Sequence, residues 1–160
     1  MAEQNGWFNC NQFANPLNIK SHEETTAVEI FKDLIVEGKN YLQAFISGTG
    51  TGGTLMGAGI KLKEMVPSMK IIAVEPAESP VMSGGQPGLH GIQGIGDGSK
   101  FLVNLKKVDK VICVSTEDAK ERAIRLAKET GIFVGISAGA NILASERWIE
   151  ENNPEGVVVT

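Results

Sequence analysis

Residues 41–75 read YLQAFISGTGTGGTLMGAGIKLKEMVPSMKIIAVE, and their order decides the fold class. Tyr41 to Ser47 is a short apolar run that stops at a glycine cluster, the pattern of a strand buried on both faces. The cluster, Gly48-Thr49-Gly50-Thr51-Gly52-Gly53-Thr54, comes next. Leu55, Gly59, Leu62 and Val66 then recur on one helical face until Pro67, whose ring ends the helix. Lys70 to Glu75 is a second apolar strand. Strand, glycine loop, helix and strand make a βαβ unit, and its right-handed crossover sets the two strands parallel. The expected fold is therefore α/β, an open and mainly parallel sheet flanked by helices.

Upstream, residues 1–22 are polar, and Asn15-Pro16 biases the backbone towards extended or turn conformations, so this stretch is expected to be a loop. From His22 onward, Val28, Phe31, Leu34 and Ile35 recur at helical spacing up to Gly38. Downstream, residues 76–99 hold many of the remaining glycines and form one long loop, a feature that is usually functional or disordered. Lys110 to Val114 is a third strand. Ser115-Thr116-Glu117-Asp118 resembles a capping box opening a helix that runs to about Gly131. Phe133-Val134 is expected to be a short apolar strand before Gly135-Ile136-Ser137-Ala138-Gly139, with a further helix through Trp148 and Ile149 and a fourth strand from Val157.

The chain has 160 residues, which is one domain's worth, and residues 1–160 are expected to form a single α/β unit. A formal net charge of -4 argues against nucleic acid held on a general basic surface. Two cysteines, Cys10 and Cys113, are too few for a disulfide scaffold and suit a reducing, cytoplasmic setting as free thiols. No apolar run is long enough for a membrane span. Nineteen glycines exceed the typical ~7% and gather in a few loops.

Gly48-x-Gly50-x-x-Gly53 lies between a strand and a helix, and Glu75 closes the next strand, where a ribose-binding acid would sit in a dinucleotide fold. Glycines let the backbone approach a ligand closely, and helical N–H groups with the positive helix end hold phosphate. The interleaved threonines add hydroxyl donors, which suits a dianionic terminal phosphate better than a pyrophosphate diester. A Walker A site is excluded, since no Lys-[Ser/Thr] pair follows the loop. Ser137 is either a helix N-cap or a group presented at the carboxyl edge of the sheet. The match to a nucleophile elbow is weak, because His22 and His90 both precede Ser137, against the hydrolase order. Both histidines are expected to be solvated loop residues. No cluster has metal-ligand spacing, and Glu23-Glu24 and Glu150-Glu151 read as solvated helix ends.

Four segments together resemble the cysteine synthase branch of the fold-type II pyridoxal-phosphate-dependent enzymes, to which cystathionine β-synthase also belongs. They are Asn11 to Asn18 with His22-Glu23-Glu24-Thr25-Thr26, Gly48 to Thr54, Gly91-Ile92-Gln93-Gly94-Ile95-Gly96, and Gly135 to Ala140. The resemblance runs almost from end to end and implies a tryptophan synthase β-like fold. It also implies that Gly50, Thr51, Gly52, Gly53 and Thr54 bind the phosphate of pyridoxal 5'-phosphate and that Ser137 hydrogen-bonds the pyridine nitrogen. Gln12, Gly91 and Gly94 would lie beside the substrate. The implied reaction replaces the acetate of O-acetylserine with sulfide to give cysteine. A homodimer and a docked serine acetyltransferase tail would be the protein partners. The family's Schiff-base lysine and substrate-gripping asparagine loop lie in a segment for which this chain has no counterpart. The chain therefore resembles the C-terminal part, no catalytic residue is assigned in it, and it is expected not to turn over by itself. A dinucleotide-binding module and a non-catalytic interaction domain are the competing readings.

Overall fold

The computed structural model describes residues 3–36, 38 and 41–160. Four strands, β1 (Leu42–Gly48), β2 (Lys70–Pro76), β3 (Lys110–Val114) and β4 (Val157–Val159), pair in the order β3-β2-β1-β4, and every pairing is parallel. From β1 the chain steps outward through β2 to β3, then returns to add β4 on the other side of β1. The strand order thus reverses beside β1, and ligands in open α/β sheets gather at the carboxyl ends of strands at such a reversal.

Both faces of the sheet are covered, and this explains the near-continuous apolar runs. Side chains alternate along β2: Ile71 and Ala73 pack with α2 (Thr26–Val36) and α3 (Gly53–Met65) through Ala27, Leu55, Ala58 and Leu62. Ile72 and Val74 pack on the other face with α4 (Thr116–Thr130) and α5 (Ile136–Asn152) through Ala119, Ala140, Ala144 and Trp148. Ser115 caps α4 by accepting the Asp118 N–H at 3.1 Å, and Gly131 ends it in left-handed backbone. The Asp118 carboxylate turns to Arg147 at 2.9 Å instead of closing a reciprocal box.

Two expectations need correcting. Residues 17–22, where the sequence suggested a loop, are helical and belong to α1 (Leu17–Glu24). The Asn15-Pro16 pair is the start of that helix: Pro16 stands at the N-cap, and the Asn15 side chain accepts the Leu17 N–H at 3.0 Å. Thr25 separates α1 from α2, so the single helix expected from His22 is divided there between the end of α1 and α2. Phe133-Val134 forms no strand. Phe133 is 91% exposed, and no strand of the described sheet lies alongside it to supply a ladder. Among the described residues no helix is long and apolar enough to cross a membrane.

Candidate functional site

The carboxyl end of β1 opens directly into the glycine loop. Gly52 adopts φ +86°, a left-handed conformation that side chains resist, and this turns the chain into α3. The first turn of α3 leaves amide groups without intrahelical acceptors. Met56 N–H returns to the Gly52 carbonyl at 3.0 Å, whereas the N–H groups of Thr54 and Leu55 have no acceptor among the described residues. These amides and the positive end of α3 border a cavity of about 360 Å³. Gln12, Phe13, Gly48, Gly50, Thr51, Gly52, Gly53, Thr54, Gly94 and Asp97 are among the residues around it.

Thr51 is oriented by two donors. Its hydroxyl oxygen accepts from Asn18 Nδ2 at 3.1 Å and from the Gly53 N–H at 3.2 Å. A hydroxyl has two acceptor lone pairs and one proton, so with both lone pairs engaged the O–H is left to donate to a ligand. Asn18 comes from α1, which lies close on α3: a Cβ on Gly53 would stand 1.8 Å from Asn18 Oδ1, and one on Gly57 2.2 Å from the Ile19 carbonyl. The polar helix that the sequence hid is thus the element that sets the loop. Thr54 Oγ1 lies 3.2 Å from His22 Nε2, whose ring also meets Thr26 Oγ1 at 2.9 Å. Thr49 differs from its neighbours in the loop, since its buried hydroxyl turns towards the Val74 carbonyl at 3.5 Å.

The segment that the sequence left as a loop forms the opposite wall. Gly94 packs its carbonyl 2.7 Å from where a Cβ on Gly50 would stand. Gly96 N–H donates to the Thr49 carbonyl at 2.9 Å. Phe13 and Phe101 lean together with ring centroids 4.6 Å apart and close one side.

Of the residues singled out from sequence, Gln12, Gly50 to Thr54 and Gly94 therefore meet at one cavity. Gly91 and Ser137 do not line it. Gly91 instead gives its N–H to Thr116 Oγ1 at 2.9 Å, fastening the loop to the start of α4. Ser137 is not a cap, since Gly135 occupies the N-cap of α5. It stands one turn before Asn141, whose Oδ1 accepts the Gly48 N–H at 2.8 Å, so this face of α5 is directed at the end of β1.

The other readings meet geometric obstacles. Glu75 cannot grip a ribose: it is 2% exposed, and its carboxylate oxygens accept the N–H groups of Met82 at 2.7 Å and Ser83 at 2.9 Å. Cys113 lies beside it, and burial followed by the Glu75 charge pushes its thiol up, which suppresses the thiolate. Neither histidine is a free loop residue. His90 Nδ1 accepts the Ile92 N–H at 3.2 Å, so Nε2 carries the proton donated to the Gly96 carbonyl at 3.0 Å. With both rings engaged elsewhere, neither histidine serves Ser137 as a base. Among the described residues no group of three or more His, Cys, Asp or Glu side chains is placed to hold a metal.

The family profile described as "Pyridoxal-phosphate dependent enzyme" matches residues 1–160. A cysteine synthase of Staphylococcus aureus (strain N315) is 44% identical over 163 aligned residues, spanning 100% of this chain and 51% of that protein. The crystal structure of a cysteine synthase from Entamoeba histolytica superposes with a TM-score of 0.89 at 41% identity, covering 99% of this chain and 46% of the other. A hydrogen sulfide-producing enzyme from Fusobacterium nucleatum superposes at 0.92 with 36% identity, covering 99% and 48%. The chain spans about half the length of the curated relatives it matches. The open amides, the oriented Thr51 hydroxyl and the glycine cradle fit a terminal phosphate, and with a profile matched along the whole chain they assign it to the pyridoxal-phosphate-dependent enzymes, in the branch that resembles cysteine synthase.

Proposed function

We propose that these residues form the cofactor-phosphate half of the active site of a cysteine synthase, which converts O-acetylserine and sulfide to cysteine. The observation that carries the reading is the Thr51 hydroxyl, held by Asn18 and Gly53 with its proton left for a ligand in a cavity bordered by unpaired helix-start amides. When bound, pyridoxal phosphate supplies an electron sink for the substrate's α-carbon. Gly50 to Thr54 bind and orient its phosphate, and Gln12 and Gly94 border the amino acid. Ser137, on the face of α5 directed at β1, is assigned to the ring nitrogen, with Gly91 fixing the loop behind Gly94. No lysine is among the described residues lining the cavity, so the chain's own part is binding and orientation, and turnover is assigned to the whole enzyme. That enzyme is proposed to be a homodimer that accepts a serine acetyltransferase tail.

Equilibrium titration of the chain with pyridoxal phosphate tests the reading. Saturable binding competed by inorganic phosphate is expected, with no cofactor fixed to a lysine by borohydride. Binding of NAD without binding of pyridoxal phosphate overturns it.

A further inference from the structure

Where β2 and β3 begin, a cavity of about 350 Å³ is bordered by Lys63 and Glu64 from the last turns of α3, by Lys106 and Lys107, and by Asp109, which immediately precedes β3. The strands run parallel, so this is the amino edge of the sheet, opposite the edge that carries the glycine loop. Ile60, Ile71 and Val108 give the cavity an apolar wall. An anion here is opposed by the two carboxylates and by the negative end of α3. Both carboxylates are already engaged. Asp109 Oδ2 accepts from Lys63 Nζ at 2.6 Å and from the Ile71 N–H at 2.9 Å, and its Oδ1 stands 3.5 Å from Lys70 Nζ. Glu64 Oε2 accepts from Lys61 Nζ at 3.0 Å. Lys106 and Lys107 have no carboxylate partner among the described residues. The backbone that presents them is fixed. Leu105–Lys107 is a single 3-10 turn in which Asn104 Oδ1 accepts the Lys106 N–H at 3.1 Å and the Asn104 carbonyl accepts the Lys107 N–H at 2.9 Å, while Leu105 and Val108 pack against the core. Two adjacent unpaired ammonium groups therefore border one concave site in a chain whose formal net charge is -4.

We propose that this cavity is a second anion site, at the amino edge of the sheet, which takes a dianionic phosphate group. That group is either inorganic phosphate or the head of a phosphate monoester whose body lies on Ile60, Ile71 and Val108. Lys106 and Lys107 supply the surplus charge, and a dianion gains twice the attraction that a monoanion gains from the same pair. Lys63 and Lys70 neutralise Asp109, which would otherwise repel the ligand. The proposal does not depend on the cofactor reading above.

The test is an NMR titration of the ¹⁵N-labelled chain with inorganic phosphate and with phenyl phosphate at about pH 8, where both are mostly dianions, and with chloride at matched ionic strength. The amides of Lys107, Val108 and Asp109 report on this cavity, and those of Thr51 and Thr54 report on the glycine loop. Saturable shifts of the first group are expected with either phosphate compound and not with chloride. The double variant Lys106→Gln/Lys107→Gln is expected to weaken this binding by about tenfold at low salt and to leave the response of Thr51 and Thr54 unchanged. Lys106→Arg/Lys107→Arg is expected to retain the binding. Tighter binding of phenyl phosphate than of inorganic phosphate supports the site with the ester as its ligand, and binding no tighter supports it with the free ion. No saturable shift at Lys107, Val108 and Asp109, an equal response to chloride, or unchanged affinity in the glutamine variant overturns the proposal. A normal response of Thr51 and Thr54 in that case leaves the glycine-loop reading standing.

Discussion

Thr51 and Ser137 differ in what their side chains do in the fold, and their alanine variants should separate accordingly. Thr51→Ala removes a hydroxyl held ready for a charged oxygen, a bond of about 1.5–3 kcal/mol, so pyridoxal phosphate affinity should fall by one to two powers of ten in a fluorescence titration. Ser137 is inside α5 while Gly135 is its cap. Ser137→Ala should therefore leave the unfolding free energy within about 0.5 kcal/mol of wild type and weaken the cofactor less than Thr51→Ala does. Asp109 offers a test by pH. Burial opposes its charge, but the Ile71 N–H at 2.9 Å, Lys63 and Lys70 together hold its carboxyl below the usual carboxylate range. A depressed pKa stabilises the fold above the unfolded value, and that contribution disappears as pH falls through the folded value. Asp109→Asn should cost about 1–2 kcal/mol at neutral pH, and the gap to wild type should close on acidification below about pH 4 in urea melts. Reading single residues from sequence worked where chemistry is local. The glycine loop declares its anion preference in seven consecutive residues. Asn18, Asn141 and Asp97 carry no local signal, because what they touch is 33 residues away for Asn18 and 93 for Asn141.

At the scale of elements, caps and breaks were more legible than polar helices. Ser115 and Gly131 punctuate α4 at both ends as the sequence suggested. Ser115→Ala should cost about 1 kcal/mol, measurable as a lowered denaturant midpoint, since the Asp118 N–H loses its acceptor. α1 escaped notice because it buries none of its residues and has no apolar stripe. It is held by Ile19, packed against the core, and by backbone proximity to α3 at Gly53 and Gly57, a contact made by missing side chains, to which hydrophobic periodicity is blind. The error at Phe133-Val134 ran the other way. Apolar, β-branched composition reads as a strand, but a strand needs a partner, and none lies beside this segment in the described sheet.

Over the whole molecule, ligand binding and folding are linked, because the cavity is walled by segments far apart in sequence. A ligand that binds only the folded chain stabilises it by about 2.7 kcal/mol at one hundred times its dissociation constant. For a chain of this size that corresponds to a rise in melting temperature of roughly 5–10 °C, and Thr51→Ala should lose most of the rise at the same concentration of pyridoxal phosphate. The parallel order β3-β2-β1-β4 also governs how the protein behaves at high concentration. β4 is three valines long and is the outermost strand on its side of the described sheet, so its outer row of peptide groups faces no other strand. Such a margin is a template onto which a second chain can add a strand, and a run of β-branched residues without charge does nothing to discourage it. Light scattering should therefore rise with protein concentration in a way that Val157→Lys reduces, because a lysine on the margin keeps neighbouring chains from zipping together.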